Sequence, residues 1–489
     1  MKLKIAAAVL LLLISPVFLP VSDADDVSKT YISSDAEYSY RTYGSGSETS
    51  PYRSEITEIV SEKPILFIQS ALEGYNLTTI TSIGSCKSDT LVIPKTVTSI
   101  SETAFDSCKN LKRLVFTGNC PECILPEGIE IISLSTSEGW DGKSEVYEVK
   151  NYENQFSYFV LDGNAVIISH GESSEVNIPA KDGNGNIFVR VNDESFRDCK
   201  IKSISFGNVT EIGTRAFYGC TSLDSAVFSS VTTVCDEAFR DCFSLKDADL
   251  SSVTAIGFES FRYCRSLEKI IIPDSTELIG DGSFYLCENA TEISIGKNIT
   301  DLPARTFGYC TSLTSINLEG VTSVGANSFN TCRSLTTVTF DDSLISIEDS
   351  AFRGCSDLTD IQFGGNLRTV GNNAFSDCLS LKELRFSDKL EKIGNNVFFH
   401  CSSLSDVRFE GKMPEMTDNP FYGAGDVTVH ITEGNRDSWS SYTGNIIVES
   451  GNNGDNSSVI VIAVAVIAVI ACLTICFIRI NSKKKGDRK

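Results

Sequence analysis

Phe-x-x-Cys recurs ten times between Phe196 and Cys401, its cysteines falling at 199, 220, 242, 264, 287, 310, 332, 355, 378 and 401. The interval never leaves 21 to 23 residues. A fixed period in the twenties makes each unit one coil that buries its apolar side only against its neighbours, so the chain reads as a repeat solenoid. The coil from Ala374 shows the pattern: Phe375, Cys378, Leu381, Leu384, Phe386, Leu390, Ile393, Gly394. Leu384 and Phe386 alternate with Glu383 and Arg385, the two-residue period of a strand with one face inward. Stacked coils pair such strands into a parallel sheet, rising about 4.8 Å per coil. Gly394-Asn395-Asn396 reads as a turn, since Gly and Asn tolerate positive φ. Phe375 is expected inside, with small Ala374 admitting close backbone approach.

The segments "LVIPKTVTSISETAFDSC" (91–108) and "IIIPDSTELIGDGSFYLC" (270–287) carry strand, Pro, turn and Phe-x-x-Cys in one phase. In this the chain resembles the BspA-like leucine-rich repeat family, strongly over 195–424 and clearly over 80–116. The resemblance implies a leucine-rich-repeat-type right-handed coil with a parallel β-sheet on one face. It further implies exposure at a microbial surface and adherence to host or neighbouring cells. The unit departs from better-known leucine-rich repeats in lacking Asn at the strand-to-loop corner. Several coils also lose the Pro after the strand, as at Ser229 and Glu319.

Outside the repeats, residues 1–24 combine two lysines, an apolar run and a small-x-small ending, the order of a signal peptide. Val459 to Ile478 is 20 residues without a charge, long enough as a helix to cross about 30 Å of hydrocarbon. The basic tail 479–489 follows, which places it in the cytoplasm and the preceding chain outside. The expected organisation is therefore signal peptide 1–24, flexible leader 25–60, repeat coils 61–116, irregular insertion 117–157, main solenoid 158–433, stalk 434–458 with Ile446-Ile447-Val448 as a candidate capping strand, one C-terminal transmembrane helix 459–478 and tail 479–489. Such a chain is a single-pass plasma-membrane protein. Between the two repeat blocks, "EVYEVKNYENQFSYFVLDGNAVIISHGE" (145–172) alternates like a hairpin, with Asp162-Gly163-Asn164 at the turn.

Chemistry finds little support. The cysteine run reads as a ladder of buried thiols packing as small apolar groups. Scattered disulfides are the alternative a secreted setting permits, and metal or redox work lacks an accompanying base. Cys120-Pro-Glu-Cys123 has no second pair for zinc and suits a local disulfide, with Cys86 a competing partner. His170, His400 and His430 are isolated in sequence, so no catalytic residue, cofactor or metal is assigned. Asp182–Asn186 has calcium-loop oxygens but lacks the required Gly and Glu, which leaves a polar turn. Asn76, Asn208, Asn289, Asn298 and Asn456 open glycosylation sequons.

Partners follow from charge and from the strands. With 42 basic and 64 acidic residues the formal charge is −22, a surface that repels phosphate backbones and excludes nucleic acid. The outward strand residues form a polar row without Trp, Tyr or Phe. Its later part, Ser315, Asn317, Thr337, Thr339, Asp360, Gln362, Glu383, Arg385, Asp406 and Arg408, is the candidate ligand face. Arg385 and Arg408 are its residues of hot-spot type. An extracellular protein or neighbouring cell surface is the expected partner, and a spacer rod without a ligand is the alternative.

Overall fold

The computed structural model describes residues 28–32, 37–43, 53–84, 86–416, 418–449 and 460–462. They divide into two compact units that meet in sequence between Val149 and Lys150.

In the second unit the coils stack as the period requires. The outward strands run in parallel register, as in Ser203↔Ser225 and Val338↔Ile361, and a second column of two-residue strands runs alongside, as in Val324↔Ile347 and Ile347↔Val370. Between the columns lies a continuous apolar core. Its spine is a file of phenylalanines, Phe196, Phe217, Phe239 and onward to Phe421, whose ring centroids follow one another at 4.9 to 5.9 Å.

The Phe-x-x-Cys turn itself is held by bonds between coils. The N–H of Phe352 donates to the Ala374 carbonyl of the next coil at 2.8 Å, and the Cys378 thiol donates back to the Phe352 carbonyl at 3.2 Å. Polar groups that a tight buried turn would orphan are satisfied in this way. Asn396, two residues before Phe398, has φ +54°, but Gly394 does not sit at positive φ. A Cβ on Gly394 would lie 2.6 Å from the Asn372 amide nitrogen, so the glycine admits the preceding coil rather than a left-handed turn.

The array begins on an antiparallel hairpin, Phe156–Leu161 with Asn164–His170, turning at Asp162 and Gly163, both at positive φ. Phe156, Tyr158 and Phe188 pack edge-on beneath it. The turn at 182–186 is closed by the Asp182 carboxylate, which accepts from the Asn184 and Asn186 N–H groups, the Asn186 side chain and the Tyr158 hydroxyl. Burial opposes its ionisation, but these donors outweigh burial and hold the carboxyl below the usual range. A lowered folded pKa gives stability that is present above the unfolded value, about 3.9, and lost as pH falls through the folded one. Asp182→Asn is therefore expected to cost about 1–3 kcal/mol at pH 7. The gap to wild type should close in urea melts once pH falls well below 4.

At its far end the array stops on Trp439, buried against Phe409 at 4.7 Å, with its indole N–H on the Gly411 carbonyl. Residues 434–449, expected mostly as stalk, instead hold a 3-10 helix, Glu433–Trp439, and the capping strand suggested by Ile446-Ile447-Val448, Asn445–Glu449, parallel to Thr428–Thr432. Trp439, Ile446 and Val448 have core to cover, which a stalk would not.

The first unit has its own core. Residues 25–60, expected as a flexible leader, carry strands Ser28–Ile32, Glu37–Tyr43 and Arg53–Val60 in antiparallel order. A register shift beside Tyr40 sets Ile56 opposite Tyr40 and Ile59 opposite Tyr38, all four buried. This bulge absorbs a three-residue spacing that breaks simple alternation. The insertion expected at 117–157 is likewise ordered. Arg113–Phe116, Glu130–Leu134 and Glu145–Tyr147 continue one parallel sheet, with coils too short to hold Phe-x-x-Cys. Trp140 packs on Phe116 at 4.7 Å in place of the missing ring.

Among the described residues no helix is long and apolar enough to cross a membrane. The signal peptide 1–24 and the tail 479–489 lie outside the described residues, as does most of the transmembrane helix expected at 459–478. Within that last span Ile460–Ile462 form a strand, antiparallel to Asn445–Glu449, rather than helix. A β-branched run beside an open sheet edge favours that pairing.

Candidate functional site

The ten residues of the candidate ligand face stand on five successive strands, Ser315–Asn317, Thr337–Thr339, Asp360–Gln362, Glu383–Phe386 and Asp406–Phe409. Between them Ile316, Val338, Ile361, Leu384 and Val407 point into the core, which turns the polar residues outward. The first three strands pair in register and the last two pair with each other. Between Asp360–Gln362 and Glu383–Phe386 the strand ladder is interrupted, since each belongs to a separate sheet.

A shallow cavity of about 630 Å³ spans this interruption. Asp360, Gln362, Glu383, Arg385, Asp406 and Arg408 line it, together with His430. Ser315, Asn317, Thr337 and Thr339 are outside its lining. The register sorts the charges: Glu383 and Asp406 pair along one column, and Arg385, Arg408 and His430 along the next.

The arginines are held in place. Arg385 donates to Glu410 at 2.6 Å, and Arg408 forks onto Glu449, one bond at 2.8 Å. His430 lies between two carboxylates, 2.9 Å from Asp406 and 3.1 Å from Glu449. Hydrogen bonds from Ser405 and then His430 hold the Asp406 carboxyl below its ordinary range. The result is a preorganised polar surface on a rigid sheet. It is able to pair with charged and hydrogen-bonding groups of a partner.

His430 and Glu449 were not legible as site residues while each was taken alone. Counting 22 residues on from Arg408 would have found the histidine, because "VTVHIT" continues the alternation.

Beyond its first two members the cysteine ladder carries packing. From Cys220 to Cys401 every Phe-x-x-Cys thiol donates to the Phe carbonyl of the preceding coil, at 2.9 to 3.7 Å. Burial pushes the thiols up, Cys332 and Cys401 to about 12, so the nucleophilic thiolate is suppressed. Cys120 and Cys123, expected to close a local disulfide, stand as half-buried free thiols. Of the sequons, Asn208, Asn289 and Asn298 are exposed and Asn76 is half-buried. Asn456 lies outside the described residues. Among the described residues no cluster of His, Cys, Asp and Glu could hold a metal ion.

The family model described as BspA type leucine rich repeat region matches in 6 copies over residues 69–124, 189–314, 232–344 and 322–442, more than half of the chain. The stretch left unmatched between the copies, 125–188, covers the short coils and the hairpin. No curated protein matches. Among solved structures, a leucine rich cell surface protein from Faecalibacterium prausnitzii A2-165 is 22% identical. The match covers 63% of this chain and 98% of that one, with a TM-score of 0.37. A leucine-rich repeat protein from Bacteroides ovatus is 20% identical over 61% and 99%, with a TM-score of 0.33. The leucine rich repeat protein of T. pallidum is 23% identical over 43% and 91%, with a TM-score of 0.34.

Proposed function

The chain belongs to the BspA type leucine-rich repeat family, and on that premise we propose that it is a surface-exposed binding or adhesion protein. It engages an extracellular protein, or a protein of a neighbouring cell, through the outward face around Arg385 and Arg408. The observation that carries this reading is the convergence of six candidate residues and His430 on one cavity, across two sheets whose inner faces are sealed by the core. Placement outside the cell rests on the apolar run at 5–19 and on the sequons that face solvent.

The test is binding of the labelled full chain to bacterial cells and to cultured epithelial cells. Saturable binding is expected, and Arg385→Glu with Arg408→Glu should weaken it about 30-fold or more, the scale of hot-spot loss. The unfolding midpoint should stay near that of wild type, since exposed ion pairs contribute little. Absence of saturable binding, or binding that survives the double reversal, would overturn this reading.

A structural envelope component is the second reading. What favours it is that Arg385, Arg408 and His430 are each closed by a carboxylate of the chain itself.

A further inference from the structure

Cys199 breaks the rule that the rest of the ladder keeps. Each later Phe-x-x-Cys thiol donates to a main-chain carbonyl, whereas the Cys199 sulfur lies 3.1 Å from the Cys220 sulfur. Three features of this coil pair agree. The interval from 199 to 220 is 21 residues, the shortest in the run. The rings of the same two coils, Phe196 and Phe217, are also the closest in the phenylalanine file, at 4.9 Å. And Cys199 is the first thiol of the run, 5% exposed, while Cys220 is fully buried.

Adjacent coils are about 4.8 Å apart, within the Cα range that a disulfide spans. Closing the sulfurs to about 2.05 Å asks for roughly 1 Å of movement. Nothing is orphaned by it, because the Phe196 carbonyl that accepts the Cys220 thiol also accepts the Cys199 N–H at 3.2 Å.

We propose that Cys199 and Cys220 form an oxidisable dithiol, closed to a disulfide by exchange with a low-molecular-weight disulfide, which staples the first Phe-x-x-Cys coil to the second. Cys199, the outer sulfur, attacks the small disulfide as a thiolate and releases one small thiol. Cys220 then gives up its proton and attacks the Cys199 sulfur, releasing the second. Two protein thiols lose two electrons and two protons, and one small disulfide becomes two thiols. As Cys199 ionises, the single S–H of Cys220 turns from the Phe196 carbonyl to the Cys199 sulfur; that contact lowers the Cys199 thiol and, together with burial, raises Cys220, which stays protonated until the mixed disulfide forms beside it.

The test is incubation of the folded full chain with oxidised glutathione, alkylation, tryptic digestion and mass spectrometry. Wild type should show peptide 198–200 joined to peptide 216–240 through Cys220, about 2 Da below their summed mass. Cys220→Ser should instead trap one glutathione on Cys199, and Cys199→Ser should give neither product at these peptides. Three outcomes would overturn the proposal: an unmodified Cys199 in the folded chain, glutathione that stays on Cys199 in wild type, or a link to Cys235 in place of Cys220.

Discussion

Phe352→Ala is expected to lower the stability of the second unit by about 3–5 kcal/mol, the range for truncating a buried aromatic. Phe352 is fully buried and stacks almost parallel on Phe329 and Phe375, at 5.2 and 5.4 Å, with Phe340 edge-on. The gap cannot be closed by sliding coils together, because strand pairing on both sides fixes their spacing. Stability in a solenoid is close to a sum of contacts between neighbours, so a loss at the middle also weakens the coupling of the two halves. Urea melts should show a lower midpoint and a broadened or two-step transition. Asp360→Lys, on the outward face of the same region, should stay within about 0.5 kcal/mol of wild type.

A second large effect is expected at Glu237. A chain of ions, buried except for the half-buried Arg240, crosses three coils: Arg215 donates to Glu237 at 2.5 Å, and Arg240 donates to both Glu237 and Glu259 at 2.6 Å. Arg262 completes it on Glu259. Glu237 is 2% exposed and Arg215 is buried beside it, so Glu237→Ala takes the carboxylate from the Arg215 guanidinium and one of the carboxylates from the half-buried Arg240, and a cost of about 3–5 kcal/mol follows. The loss is an uncompensated charge rather than a lost contact. Replacing Arg215, Glu237 and Arg240 together by apolar residues of similar volume should therefore restore most of the stability. Denaturant midpoints of the single and triple variants decide the point. Equal destabilisation of both would refute the charge argument.

The two regimes also explain what could be read in advance. Phe375, Cys378, Leu384 and Phe386 were legible because the same residue type returns to the same place in every coil. The outward row followed from them, since a strand with a fixed inner face has only one outer face. Ends and interruptions obey no period. Tyr40 and Ile56 meet across a bulge, and Trp140 and Trp439 each occur once, so neither leaves a repeating signal. At Gly394 the position was right and the reason was not, because a close approach between coils is invisible within one unit. His430 belongs to the row by register, yet the coil that carries it has lost the motif that marks the others.

The central claim is that the repeated residues build the scaffold while binding falls to the outward row. It is tested most directly by measuring alkylation of the thiols of Cys242, Cys264, Cys287, Cys310, Cys332, Cys355, Cys378 and Cys401 in the folded chain and after unfolding. If these thiols are interior bonds between coils, they react only as the array opens. Labelling in the folded state should then be slower by about three orders of magnitude or more. Any of these eight reacting in the folded chain at the rate of an exposed thiol would contradict the account.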